Sequence, residues 1–408
     1  MQRRHFLHAF SSATGAALLA AHAPGWAQGA AQRPASLIDR ILILVELKGG
    51  NDGLNTVIPF ADPTYAQLRP VIALKADEVL QLDAKTGLHP ALKPMLGLWE
   101  TGQLGIVQGV GYPEPNLSHF RSIEIWETGS KSTEYLADGW AARGMKAGFA
   151  ARGNFTTDGV LIGGTDMGAL AGARAVSLNN PEAFVNQSRL ALANPGVDPV
   201  LAARAKGNPA LQHLLRMEGD INQAANGLRG DKYNFTTVFP AGGFGNSVKA
   251  AAQVVASQVA KPSGEGGVPV ITLSLGSFDT HQNQLGTHAA LMKQLAEGLV
   301  ALQSSLSELG AWDRTLVMTF SEFGRRARQN NSNGTDHGTA APHFVLGGAV
   351  RGSLYGQAPD LSRLDAAQNT RYTTDFRQLY STVAQDWWGV SPEVVTRGRF
   401  EPVKFLKT

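Results

Sequence analysis

The feature that most constrains this chain is a set of short apolar runs, each stopping abruptly at acids, amides or histidines. Ile41 to Leu47 reads ILILVEL and runs into Lys48-Gly49-Gly50-Asn51-Asp52-Gly53. Val268 to Leu275 (VPVITLSL) stops at Gly276-Ser277-Phe278-Asp279-Thr280-His281. Thr315 to Phe320 stops at Ser321-Glu322, and Asp336, His337 and His343 precede another apolar run, Phe344 to Leu346. Leu104 to Val110 is a further run of the same kind. Runs this short and apolar read as strands buried on both faces, the pattern of a parallel sheet.

Helical periodicity lies between the runs. Leu291, Leu295, Leu299, Leu302 and Leu306 recur at helical spacing in Gln284 to Leu309. His89 to Trp99, Ser118 to Trp126, Ala210 to Leu228, Ser247 to Val259 and Thr373 to Trp388 read as further helices. Alternating strands and helices predict an α/β fold around a mostly parallel sheet. Residues 130–267, where the pattern weakens into Gly/Asn/Pro-rich loops, are expected to form a cap or insertion, bounded by the loop Lys261 to Gly267.

The start of the chain is set apart. Arg3-Arg4 stands before Phe6-Leu7 and a weakly apolar stretch, Ala9 to Ala21, with small residues at Gly25 and Ala27. Residues 1–27 therefore resemble a twin-arginine export signal, which implies the twin-arginine translocase as an export partner and a periplasmic or secreted location. The apolar part falls short of the ~20 residues of a spanning helix, so no stable membrane anchor is expected. Residues 28–36 read as a linker and 37–408 as the folded domain. The formal charge is +3, two of those charges being Arg3 and Arg4. The rest is near neutral and has no Lys/Arg blocks, so nucleic acid is not expected as a partner. With no cysteine, thiolate metal sites and a Cys nucleophile are excluded.

Ligands of open α/β sheets bind at the carboxyl ends of the strands, and that is where the polar residues cluster. Carboxylates and imidazoles gathered there suit a divalent cation. Asn51 and Asp52 supply oxygens after the first strand, although Gly/Asn/Asp turn chemistry explains them equally well. Asp279 and His281, two apart, share a face in extended chain. Ser118 stands where a helix N-cap belongs, and a hydroxyl there is also placed to attack an anionic ester. His119 beside it reads as a ligand, a base or a packed ring.

The motifs GGNDGLNT (49–56), SHFRS (118–122), FDTHQNQ (278–284), SEFGR (321–325) and DHGTAAPHFVLGG (336–348) resemble the bacterial family called domain of unknown function 1501. More distantly, the chain resembles the alkaline phosphatase and sulfatase superfamily. That resemblance implies a three-layer α/β/α sandwich and one or two divalent metal ions (Zn, Mn, Mg or Ca) activating a nucleophile. It implies Asp52, Asp279, His281, Glu322 and His337 as ligands, with Asn51, Asp336 and His343 as further candidates. Phe323 stands where the superfamily has a histidine. Ser118 or His119 falls at the nucleophile position, and Arg121 or Arg325 would neutralise the transferred group. The activity implied is metal-dependent hydrolysis of a phosphate or sulfate ester, on a small-molecule or glycan substrate. The alternative is a non-catalytic metal- or carbohydrate-binding periplasmic protein.

Overall fold

The computed structural model describes residues 39–148, 155–192, 205–229, 232–259, 261 and 266–407. The export signal and linker expected at 1–36 lie outside the described residues. The strands, in chain order, are β1 (Ile41–Leu47), β2 (Val57–Ile58), β3 (Leu80–Gln81), β4 (Gly87–Leu88), β5 (Leu104–Gly111) and β6 (Gly159–Ile162). They continue with β7 (Ala175–Leu178), β8 (Val270–Leu275), β9 (Thr315–Phe320), β10 (Ala341–Leu346), β11 (Leu354–Gly356) and β12 (Thr374–Asp375).

The main sheet runs in the order β11-β5-β10-β9-β1-β8-β6-β7, with β12 on β5, while β2, β4 and β3 form a small separate sheet. The pairs β9–β1, β1–β8, β8–β6 and β6–β7 are parallel. Only β10 runs against its neighbours, β5 and β9.

Strand β1 shows why the molecule has three layers. Its residues alternate between two cores: Ile41, Ile43, Val45 and Leu47 pack on one face with Phe244, Leu291 and Leu295. Leu42 and Leu44 pack on the other with Trp126, Trp140 and Leu379. The first face is covered by the helices Gly243–Val259 and Gln284–Glu308, the second by His119–Thr128, Trp140–Gly148 and Phe376–Thr382. A strand buried on both faces needs apolar side chains at every position, which is what ILILVEL supplies apart from Glu46. The fold is thus an α/β/α sandwich on a mostly parallel sheet.

Three sequence expectations change. Residues 130–267 are not wholly a cap, because β6 and β7 are strands of the main sheet and Gly243–Val259 packs on it. The helix expected over His89 to Trp99 is split into a 3-10 turn, Pro90–Met95, and a short α-helix, Leu96–Glu100. Pro94 sits inside the turn and has no N–H to continue an α-helical ladder. The last helix begins only at Phe376, because Thr374–Asp375 pairs with β5 and Asp375 closes a capping box with Gln378.

Candidate metal centre

Loops following β1, β8 and β9 and the helix after β5 meet at one edge of the sheet. Two glycines let them nest. Gly49 has φ +116°, and a Cβ there would lie 2.5 Å from the Asp279 amide nitrogen. Gly50 has φ +77°, and its Cβ would enter the Phe323 ring. The close approach these glycines permit is thus to other loops, not to a ligand. Ser321 Oγ donates to the Leu47 carbonyl at 2.6 Å and accepts from Asn51 N–H at 3.0 Å, joining the ends of β1 and β9. Ser122 Oγ donates to the Glu322 carbonyl and so ties the helix His119–Thr128 to the same edge.

Four side chains converge there. His119, Asp279 and His337 each offer a ligand atom within 4.8 Å of the others. His281 joins them, its Nε2 lying 2.9 Å from Asp279 Oδ1 and 3.1 Å from His337 Nε2. His337 Nε2 is 3.1 Å from the same Oδ1, and His119 Nε2 is 3.5 Å from Asp279 Oδ2. Asp279 is 44% exposed, so the cluster opens to solvent.

Each imidazole is held from behind by its other nitrogen. His119 Nδ1 lies 2.7 Å from Glu322 Oε1, and His281 Nδ1 lies 3.3 Å from Asp336 Oδ1. His337 Nδ1 lies 2.9 Å from the Leu117 carbonyl oxygen. A carbonyl only accepts, so His337 Nδ1 carries a proton and donates to it. His119 and His281 each have a carboxylate at both ring nitrogens, Glu322 or Asp336 behind and Asp279 in front. The Nε2 atoms of His281 and His337 and the Oδ1 of Asp279 lie about 3 Å apart. Nitrogen and oxygen atoms at that distance share protons or, with the rings neutral, a metal cation. In a tetrahedral zinc site, ligand atoms are about 3.3 Å apart, so this donor set fits a divalent ion. Phe323 closes the back of the cluster, its ring centroid 4.9 Å from that of His119 and 4.5 Å from that of His337.

Burial pushes the Asp279 carboxyl up, but hydrogen bonds and charge from Arg325, then His337 and His281, outweigh it and hold the pKa down to about 2. Arg325 is wholly buried beneath the cluster and touches Asp279 Oδ1 at 2.5 Å. Its remaining N–H groups donate to backbone carbonyls of Gly49, Gly50, Phe278 and Thr335. It orients Asp279 and cannot reach an entering anion, which corrects the expectation for Arg325.

Other expected site residues lie elsewhere. Asp52 is fully buried, pairs with Arg69 Nη1 at 2.7 Å, accepts from Gln284 and caps the helix Gly53–Thr56. Burial raises its pKa, Arg69 lowers it, and the net shift is downward. No lone pair remains free for a metal. Asn51 is spent on Thr56 and on His288 Nε2, 3.1 Å from its Oδ1. His343 lies inside the antiparallel strand β10, buried against Trp126, with burial pushing its pKa down to about 3. Running opposite to β9, β10 presents its start at the cluster and carries His343 away from it. Arg121 turns aside to the carbonyls of Ser132 and Glu134 and stacks on Tyr135 at 3.8 Å. Glu322, at 2% exposure, and Asp336 orient imidazoles and do not face Asp279. Ser118 is exposed, next in sequence to His119, and caps its helix without a side-chain bond. Sequence reasoning missed Arg69, Gln284 and the Leu117 carbonyl, none of which carries a local signal.

Residues 210–398 match the family described as Protein of unknown function (DUF1501). Over those residues the chain is similar to the DUF1501 family. Among solved structures, it is similar to one of Ps i-CgsB in complex with a neocarrahexaose, at 10% identity and TM-score 0.40, covering 89% of this chain and 75% of that one. A protein in the alkaline phosphatase superfamily from Vibrio parahaemolyticus is similar at 8% identity and TM-score 0.40, covering 87% and 68%. A sulfatase from Pseudoalteromonas sp. is similar at 11% identity and TM-score 0.39, covering 90% and 70%. No curated protein matches the chain. No helix among the described residues is long and apolar enough to cross a membrane.

Proposed function

We propose that this protein is an exported metal-dependent hydrolase of phosphate or sulfate esters, with one divalent cation held by His119, Asp279, His281 and His337. The observation that carries the metal is the meeting of three imidazole Nε2 atoms on one carboxylate, each ring anchored behind by Glu322, Asp336 or the Leu117 carbonyl. The reaction is the reading the family resemblance brings to that centre. A divalent ion supplies Lewis-acid polarisation of an ester oxygen and lowers the pKa of bound water. Glu322 and Asp336 keep His119 and His281 in the tautomer that binds metal, and Arg325 fixes the Asp279 carboxylate. The Ser118 hydroxyl, exposed and free of its cap, is the nucleophile in this reading. Export rests on the Arg3-Arg4 segment.

The test is elemental analysis of purified protein together with turnover of aryl phosphate and aryl sulfate esters under Zn, Mn, Mg and Ca. Stoichiometric metal with turnover that is lost in Ser118→Ala and His337→Ala is the expected outcome. Full occupancy without turnover of either ester under any of the four metals removes the catalytic claim. It would leave the second reading, a metal- and carbohydrate-binding protein without catalysis. Phe323 favours that reading, filling with an apolar ring the position of a further superfamily ligand.

A further inference from the structure

A cleft of about 670 Å³ lies beside the metal cluster, on the face of the sheet covered by the helix His119–Thr128. It opens at the carboxyl ends of β1, β8, β6 and β7, where α/β sheets bind ligands, and its volume suits a ligand of one or two rings. Two elements join it to the cluster. Lys48 in its wall precedes Gly49, whose N–H donates to Glu322 at 2.9 Å. Ile123 and Glu127 of the wall lie four and eight residues beyond His119, on one stripe of the same helix.

The charge of the cleft is unlike that of an anion site. Glu46, Glu127 and Asp166 line it against the single cation Lys48. Among the described residues, the one group of acids and histidines placed to share an ion is the His119, Asp279 and His337 cluster. The cleft's carboxyls therefore do not converge as metal ligands do, and they fit separate donors of an organic molecule. The amide residues Asn179 and Gln187 complete the wall and offer donors and acceptors for hydroxyl groups. We propose that this cleft binds an amine-bearing, hydroxyl-rich group such as an aminated sugar or polyol. Its ammonium would lie against Glu46 and Glu127, beside but separate from the metal centre. The inference does not depend on hydrolysis at that centre.

Burial pushes the Glu46 carboxyl up to about 7 and the Glu127 carboxyl up to about 8. Glu322 and Asp166 press Glu46 further upward, Asp166, Glu46 and Glu124 do so for Glu127, and Lys48 opposes both. A bound ammonium favours the ionised carboxylates, so binding at neutral pH expels protons.

The experiment is calorimetric titration of the purified protein with 1-amino-1-deoxyglucitol, glucitol and gluconate, repeated in two buffers of different ionisation enthalpy. The amine should bind at least about tenfold tighter than glucitol, with net proton release, and gluconate should bind weakest. Glu46→Gln and Glu127→Gln should each weaken the amine by roughly fivefold or more. Asp166→Asn, on an exposed loop, gives a readout if the buried variants do not fold, and should weaken the amine about twofold to threefold. His337→Ala should lose metal yet keep amine binding, so failure here and failure at the metal centre are told apart. Equal affinity for amine and glucitol, no amine binding, or binding unchanged in all folded carboxyl variants overturns the proposal.

Discussion

Two clusters at the same sheet edge contain nearly the same chemistry. One joins Asp279 with His119, His281, His337 and Arg325; the other joins Asp52 with His288, Asn51, Gln284 and Arg69. In the second, every Asp52 oxygen accepts from a protein donor and the carboxylate is 0% exposed. In the first, three imidazole Nε2 atoms face a carboxylate that is 44% exposed. A site differs from a scaffold here not in residue type but in whether donors and acceptors are already matched. An unmatched set of acceptors calls for a cation, whereas a matched one holds loops together.

The sharpest way to break the contrast is to remove Asp52. Asp52→Ala strands the buried Arg69 guanidinium and should cost about 3–5 kcal/mol of stability, read by denaturant unfolding, with metal stoichiometry unchanged in the folded fraction. Metal loss without destabilisation would reverse the roles of the two clusters. Next in size, His337→Ala should lower metal affinity beyond the roughly 10–100-fold typical of losing an outer partner. Competition with a chelating dye reads this directly, and thermal melting of the metal-free protein should move little.

A smaller effect is expected one layer out. Asp336→Ala removes the partner of His281 Nδ1 and should weaken metal about tenfold. An unchanged affinity would mean that His281 is not a ligand and that the centre rests on His119, Asp279 and His337 alone. The mildest prediction concerns pH. Burial holds His343 and His288 down to about 3, against 6.5 for a free imidazole. Both are neutral when folded and gain protons on unfolding below 6.5. Their contribution to stability is therefore complete above about 6.5 and drains as pH falls toward 3. Melting temperature followed from pH 7.5 to 4.5 should decline, and His343→Leu should flatten that decline. An equal slope in the variant would move the acid sensitivity to other groups.

Much of the fold was legible because its signals are local. ILILVEL has no polar face, so it had to be a strand covered on both sides, and β1 occupies Ile41–Leu47 as the run itself does. The leucine spacing of Gln284 to Leu309 foretold the helix Gln284–Glu308 in the same way. Asp279 and His281 meet as the expected pair, although the chain between them is turned by the His281 N–H donating to the Asp279 carbonyl and not extended. Glu46 also left a trace, as the one carboxylate inside an apolar strand, although its place in a cleft depends on Glu127 from a helix eighty residues later.

What composition and periodicity determined, then, was the inventory: a sheet buried on both faces and polar side chains gathered after its strands. Which of those side chains face open space was decided by strand direction and partner supply. Antiparallel β10 carries His343 into the core while leaving His337 at the rim, and Arg69, seventeen residues after Asp52, neutralises that carboxylate. A lone pair is available to a ligand only when no donor of the protein reaches it, and that depends on distances between segments far apart in the chain.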